Sequence, residues 1–264
     1  VRGSRMELIV GGVLVGAGVT TFLGWVFQGV GPSPEASAVM EQARPVDVSK
    51  LNGLLFGGLS PKVVIYCGAK VRRESYAPLA QAVLKELDVA DAGVLVVQSP
   101  FNVWAFKPAT VAEVLEAYPS ITCVAGHSIG GVWAAEMCRD LQAAGKWPSA
   151  GLDFVYMGVH GKGLSLAPFK DLPFGKVGYT IASEDGPMQR AAEGDVPGYT
   201  ARALLDLPPS CTIFEIAGGN HQGYGSYGSP GIAQGNVLPD HPATISAQAQ
   251  CDLVAAAIAA TARR

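Results

Sequence analysis

The chain has 264 residues, enough for one large α/β domain, and with 49% hydrophobic residues against 16% charged it can build a sizeable core. A formal net charge of -3 gives no basic footprint for nucleic acid, which is excluded as a partner class. Five cysteines, at 67, 123, 138, 211 and 251, are an odd number without CxxC spacing, so they read as buried free thiols rather than a disulfide framework or a metal site.

In chain order, the first feature is an uncharged apolar run from Leu8 to Phe27, twenty residues long, the length of a membrane span. Arg2 and Arg5 precede it and Glu35 and Glu41 follow, so the positive-inside rule predicts an uncleaved anchor with the catalytic part on the non-cytoplasmic side. Two rivals stand beside it. One is a secretory signal, with Ala36-Ser37-Ala38 as cleavage site, which would make the protein secreted; the other is a buried segment of the domain. Met6 reads as the natural start, and the orientation argument loses both arginines if so.

Residues 1–28 are therefore expected as an apolar segment and 29–45 as a Gly/Pro/Ser-rich linker, with Pro32 and Pro34 interrupting any continuous helix. A single domain is expected over 46–264. In it, Leu51 to Phe56, Val63 to Cys67, Val94 to Val97, Ile121 to Ala125, Phe154 to Val159, Val177 to Ala182 and Cys211 to Ile216 read as strands. Most are continuous Val/Ile/Leu-rich runs, the pattern of strands covered on both faces. Helical periodicity fills the gaps, with apolar faces from Tyr76 to Leu87, Val111 to Tyr118, Ile129 to Ala144 and Thr244 to Ala260. Alternation of this kind predicts a doubly wound, mostly parallel sheet with helices on both faces. The interval from Val159 to Val177 is too short for a large cap domain.

The chemistry-bearing motif is Gly126-His-Ser-Ile-Gly130, directly after a strand and directly before a helix. That is the context of a nucleophile elbow, in which a strained turn lifts the Ser128 hydroxyl above the sheet edge and small neighbours let the turn close. A serine hydroxyl needs a base. Of four histidines, His127 reads as packing behind the turn, His160 ends a strand and His241 lies in a proline-flanked loop. His221, on the glycine-rich loop after the last strand, stands where the chain order nucleophile, acid, base requires the base. Between the two, Asp185 follows an apolar strand in an Asp-Gly turn; Glu184 and Asp195 are the alternatives. The backbone N–H of Ile129, and that of Ala69 in the loop after an early strand, are the expected oxyanion donors. Phe101, Trp104 and Tyr224 are expected to line an apolar substrate pocket.

Gly68-Ala-Lys-Val71, Tyr76-Ala-Pro-Leu-Ala80, Pro100-Phe-Asn102, the elbow through Gly131 and Gly218-Gly-Asn-His221 together resemble small, cap-less α/β-hydrolases related to the dienelactone-hydrolase branch. The likeness covers roughly residues 46 to 260. It implies the α/β-hydrolase fold, a triad of Ser128, Asp185 and His221, and hydrolysis of a small-molecule carboxylic ester without metal or organic cofactor. Two departures limit it: Ala69 stands where a second glycine is commoner, and Ser128 where dienelactone hydrolases use cysteine. An acyltransferase with the same triad, or a catalytically silent binding protein of the same fold, are the other functions this pattern accommodates.

Overall fold

A computed structural model describes residues 29–100, 108–160, 164–228 and 240–262. Its centre is one eight-stranded sheet in the order β1-β2-β4-β3-β5-β6-β7-β8. The strands are β1 (Val46–Val48), β2 (Gly53–Gly57), β3 (Ser60–Tyr66), β4 (Ala92–Val97), β5 (Cys123–His127), β6 (Asp153–Met157), β7 (Val177–Ala182) and β8 (Cys211–Ile216). β1 and β2 enter antiparallel; every pairing from β4 to β8 is parallel.

The continuous apolar runs have a simple cause. Successive side chains on a strand point to opposite faces, and both faces here are covered. Val63, Ile65, Val94, Val96, Ala125 and Met157 join one buried cluster, while their neighbours Val64, Tyr66, Leu95, Val97, Val124 and Tyr156 join the other. Helices α1 (Pro34–Ala43), α2 (Ala77–Leu87) and α7 (Ala247–Thr261) cover the first face. Helices α3 (Val111–Ala117) and α4 (Ile129–Ala143) cover the second. The shorter α5 (Gly186–Ala192) and α6 (Val196–Leu205) lie between β7 and β8. No large cap interrupts the described part of the chain.

Two segments differ from the sequence reading. The expected linker contains α1, because Pro34 opens a helix instead of breaking one: it sits in the first turn, where no N–H is needed, and Ser33 caps the Ala36 N–H at 3.2 Å. Val30 and Ala36 are buried, so this segment packs on the domain. Asp185-Gly-Pro, expected as a turn, starts α5.

The expected membrane-anchored, non-cytoplasmic protein is a correction. Among the described residues no helix is long and apolar enough to cross a membrane. Residues 8–27, on which that expectation rested, lie outside the described residues, and the localisation is not retained.

Candidate active site

In the strand order, the chain leaves β3 for β4 on one side and returns past it to β5 on the other. Such a reversal opens a crevice at the carboxyl ends of the two strands, the place where doubly wound sheets bind ligands. The loop bearing Ala69 follows β3 and Ser128 follows β5, so both flank this crevice.

Ser128 has φ 54° and ψ -129°, a conformation that side chains adopt only when the surroundings enforce it. The enforcement is visible. Its N–H donates to the Met157 carbonyl at 2.9 Å, pinning the turn to β6. Gly130 passes so close to the chain after β3 that an added Cβ would lie 2.4 Å from the Cys67 carbonyl oxygen, and one on Gly126 would lie 2.4 Å from the Gly131 Cα. The hydroxyl of Ser128 makes no capping bond to α4, although it occupies the capping position. The N–H of Ile129 opens α4, where the first-turn N–H groups have no intrahelical acceptor.

Asp185 and His221 meet from two different strand ends. The Nδ1–H of His221 donates to Oδ2 of Asp185 at 2.8 Å, while Oδ1 of Asp185 accepts the Met188 N–H, also at 2.8 Å, as the N-cap of α5. The two carboxylate oxygens thus have separate duties. One fixes the carboxylate to its helix; the other holds the imidazole and leaves its Nε2 with a lone pair. Asp185 is wholly buried and His221 nearly so. Burial pushes the Asp185 carboxyl up, but the adjacent His221 charge and hydrogen bond outweigh it and hold the group below its ordinary value. For His221 burial pushes down, and the Asp185 charge and hydrogen bond reverse the sign, so its pKa stands above 6.5. Both shifts describe one stabilised ion pair.

Two more histidines surround this pair. His127 packs behind the elbow, its ring centroid 4.7 Å from that of His221. The Gly68 N–H donates to the Tyr76 hydroxyl oxygen at 2.8 Å, and that hydroxyl donates to Nδ1 of His127 at 2.7 Å. The chain of bonds ties the loop after β3 to the elbow. It also occupies the Gly68 N–H. Burial, with His221 close by, pushes the His127 pKa well down, so it is neutral. His160 stands with Nε2 3.8 Å from Oδ2 of Asp185, too far to replace His221, and burial lowers its pKa to about 4.

Tyr224 is not a pocket wall. It is 1% exposed, its hydroxyl donates to the Thr180 carbonyl at 3.2 Å, and its ring packs against His127 under the site. An added Cβ on Gly158 would lie 2.6 Å from that ring, so Gly158 makes the room for it. The other expected pocket residues, Phe101 and Trp104, lie outside the described residues. Glu184 turns away, accepting a bond from the Ser183 hydroxyl at 3.1 Å, and Asp195 caps α6. Among the described residues all five cysteines are free thiols and no group of three or more His, Cys, Asp or Glu side chains is placed to hold a metal ion.

The strand order and the position of the crevice define the class: the chain has the α/β-hydrolase fold. A model of an alpha/beta hydrolase family matches residues 62–146, the stretch from β3 through the elbow and α4. Among solved structures the chain is similar to the hyperthermophilic esterase of the archaeon Pyrobaculum calidifontis, at 12% identity and a TM-score of 0.51 over 86% of this chain and 90% of that one. A monoclinic form of the Pyrobaculum calidifontis esterase gives 13% identity and 0.50 over 86% and 89%. Carboxyl esterase 2 of the fungus Tuber melanosporum gives 14% and 0.49 over 80% and 82%. No curated protein sequence matches the chain significantly. At such identities the likeness to the Pyrobaculum calidifontis esterase speaks for the fold, and the family match over residues 62–146 agrees with that fold.

Proposed function

We propose that the protein is a serine hydrolase that cleaves small-molecule carboxylic esters through an acyl-enzyme on Ser128. The observation that carries this reading is the buried Asp185–His221 pair, bonded at 2.8 Å with Nε2 left as the base. The strained Ser128, at the end of β5 and with no capping bond of its own, supplies the nucleophile. Ester hydrolysis is the activity that the Pyrobaculum calidifontis and Tuber melanosporum proteins are named for, and this chain is proposed to share it.

In the first half-reaction the Ser128 oxygen bonds to the ester carbonyl carbon as Nε2 of His221 takes the hydroxyl proton. Negative charge moves to the carbonyl oxygen, where the N–H groups of Ala69 and Ile129 are the proposed donors. Collapse breaks the bond to the alkoxy oxygen, and His221 returns its proton to the departing alcohol. Water, deprotonated by the same nitrogen, then attacks the acyl-enzyme and releases the acid and free Ser128. Asp185 keeps its charge throughout and stabilises the imidazolium.

Ser128→Ala tests the assignment. The variant should fold like the parent and lose turnover of p-nitrophenyl butyrate; wild-type turnover in it would assign the nucleophile elsewhere.

A further inference from the structure

Asp240 lies on neither loop of the acid–base pair, yet its carboxylate is bonded to both. Its Oδ1 accepts the N–H of Gly186 at 2.9 Å, the residue after Asp185, and its Oδ2 accepts the N–H of Gln222 at 2.7 Å, the residue after His221. Oδ1 also accepts the His241 N–H at 3.0 Å, which stiffens the strap formed by residues 240 and 241. The next residue adds a bond on the other side of His221, where Nδ2 of Asn220 donates to the His241 carbonyl at 2.7 Å. Residues 240 and 241 therefore hold the side chain immediately before His221 and the backbone immediately after it, and the same carboxylate holds the backbone immediately after Asp185.

We propose that Asp240 is a positioning residue whose carboxylate clamps the Asp185 loop to the His221 loop and so sets the geometry and charge of the acid–base pair. The proposal rests on the serine-hydrolase reading above. A charged acceptor for two backbone donors is a stronger tie than neutral bonds, and neither donor lies in a strand ladder. Two further bonds join the same loops, from the Glu184 N–H to the Gly219 carbonyl at 2.8 Å and from the Gly218 N–H to the Ser183 hydroxyl at 2.9 Å, but these lie on the far side of Asp185 and His221 from the residues that Asp240 holds. A displacement of about 1 Å in such a site lowers turnover by roughly a hundredfold.

The clamp also has an electrostatic consequence. The groups facing His221 are Asp185 from the end of β7, Arg190 from α5, His127 from the elbow, Tyr224 from its own turn and Asp240 from the strap; His160, from the end of β6, reaches the same carboxylate of Asp185. After the dominant opposition between burial and Asp185, the Asp240 charge raises the His221 pKa and Arg190 lowers it. Neutralising Asp240 removes one of the two negative charges that favour the imidazolium, so His221 loses its proton at lower pH.

The test uses the full chain with Asp240→Asn and Asp240→Glu. Asparagine keeps the shape but loses the charge and one acceptor; glutamate keeps the charge with altered geometry. Asp240→Asn is expected to lower kcat for p-nitrophenyl butyrate by about ten- to a hundredfold with KM nearly unchanged. It should also move the acid limb of kcat/KM, and the His221 titration seen by NMR, to lower pH. Asp240→Glu should lose turnover with the limb near its wild-type position. Wild-type kcat with an unmoved titration in Asp240→Asn would overturn the proposal, as would a loss of kcat that follows the folded fraction while His221 titrates as in the wild type. The NMR titration does not depend on turnover. If it shifts while neither wild type nor variants cleave esters, the clamp stands and the hydrolase reading fails.

Discussion

Asparagine at position 185 is nearly isosteric with the aspartate, yet it cannot serve both partners. Oδ1 caps α5 through the Met188 N–H and Oδ2 receives the His221 Nδ1–H, each at 2.8 Å. The amide has one acceptor oxygen. Turned toward Met188, it keeps the cap and presents its NH2 to His221, which can accept only if its proton moves to Nε2. Turned toward His221, it keeps the tautomer but sets an NH2 against the Met188 N–H and loses a cap worth about 1 kcal/mol. The cap therefore favours the orientation in which Nε2 carries the proton and is no base. A neutralised triad acid of this kind lowers kcat by about ten-thousandfold, close to 5 kcal/mol of transition-state stabilisation. Asp185→Asn is expected to show that loss against p-nitrophenyl butyrate with a thermal midpoint close to wild type. Glu184→Gln should change little, since the Glu184 carboxylate bonds its neighbour Ser183, while the residue's tie to the His221 loop, from its N–H to the Gly219 carbonyl at 2.8 Å, is backbone and survives the substitution. An Asp185→Asn variant within tenfold of wild type, beside an inactive Glu184→Gln, would refute the reasoning and move the acid to Glu184.

The pH profile should carry the same signature. His221 acts as a base only when neutral, and its raised pKa means that kcat/KM reaches half its maximum above pH 6.5, not below; a midpoint under that value would count against the ion pair. The linked stability has the sign of a raised histidine: the contribution is complete below the unfolded-state value and is lost as pH rises through the folded one, which urea titrations across that range would follow. Gly130→Ala places a Cβ 2.4 Å from the Cys67 carbonyl oxygen, a backbone atom that cannot swing aside. It should destabilise by about 1–3 kcal/mol and displace the loop bearing Ala69; an unchanged urea midpoint would show that the loop yields.

Much of the fold was legible because its signal is local and repeated. Val177 to Ala182 is a strand over the expected residues because a run covered on both faces is largely apolar; Cys211 to Ile216 is one too, although as the edge strand it is mostly half-buried or exposed and carries Glu215. The elbow was legible for the same reason: strand, GxSxG and helix follow one another without a gap. What escaped the reading depends on how residues are used, not on which they are. Proline and Asp-Gly-Pro were read as punctuation, yet Pro34 and Pro187 both sit in the first turn of a helix. Tyr224 was read as a wall because aromatic residues follow His221, but a glycine at 158, far away in sequence, opens the space that takes it beneath the site. Asp240 gave no signal at all. Its partners are backbone N–H groups 54 and 18 residues away, which no side-chain pattern encodes.

The central claim is that Ser128 is an activated nucleophile, and a fluorophosphonate probe tests it most directly, since such a reagent phosphonylates a serine only where a base takes the hydroxyl proton. The expected result is a single adduct on the intact protein, mapped to the peptide containing Gly126 to Gly131, slowed severely by Asp185→Asn and absent from Ser128→Ala. No adduct on the folded wild type, or an adduct that persists in Ser128→Ala, would contradict the account.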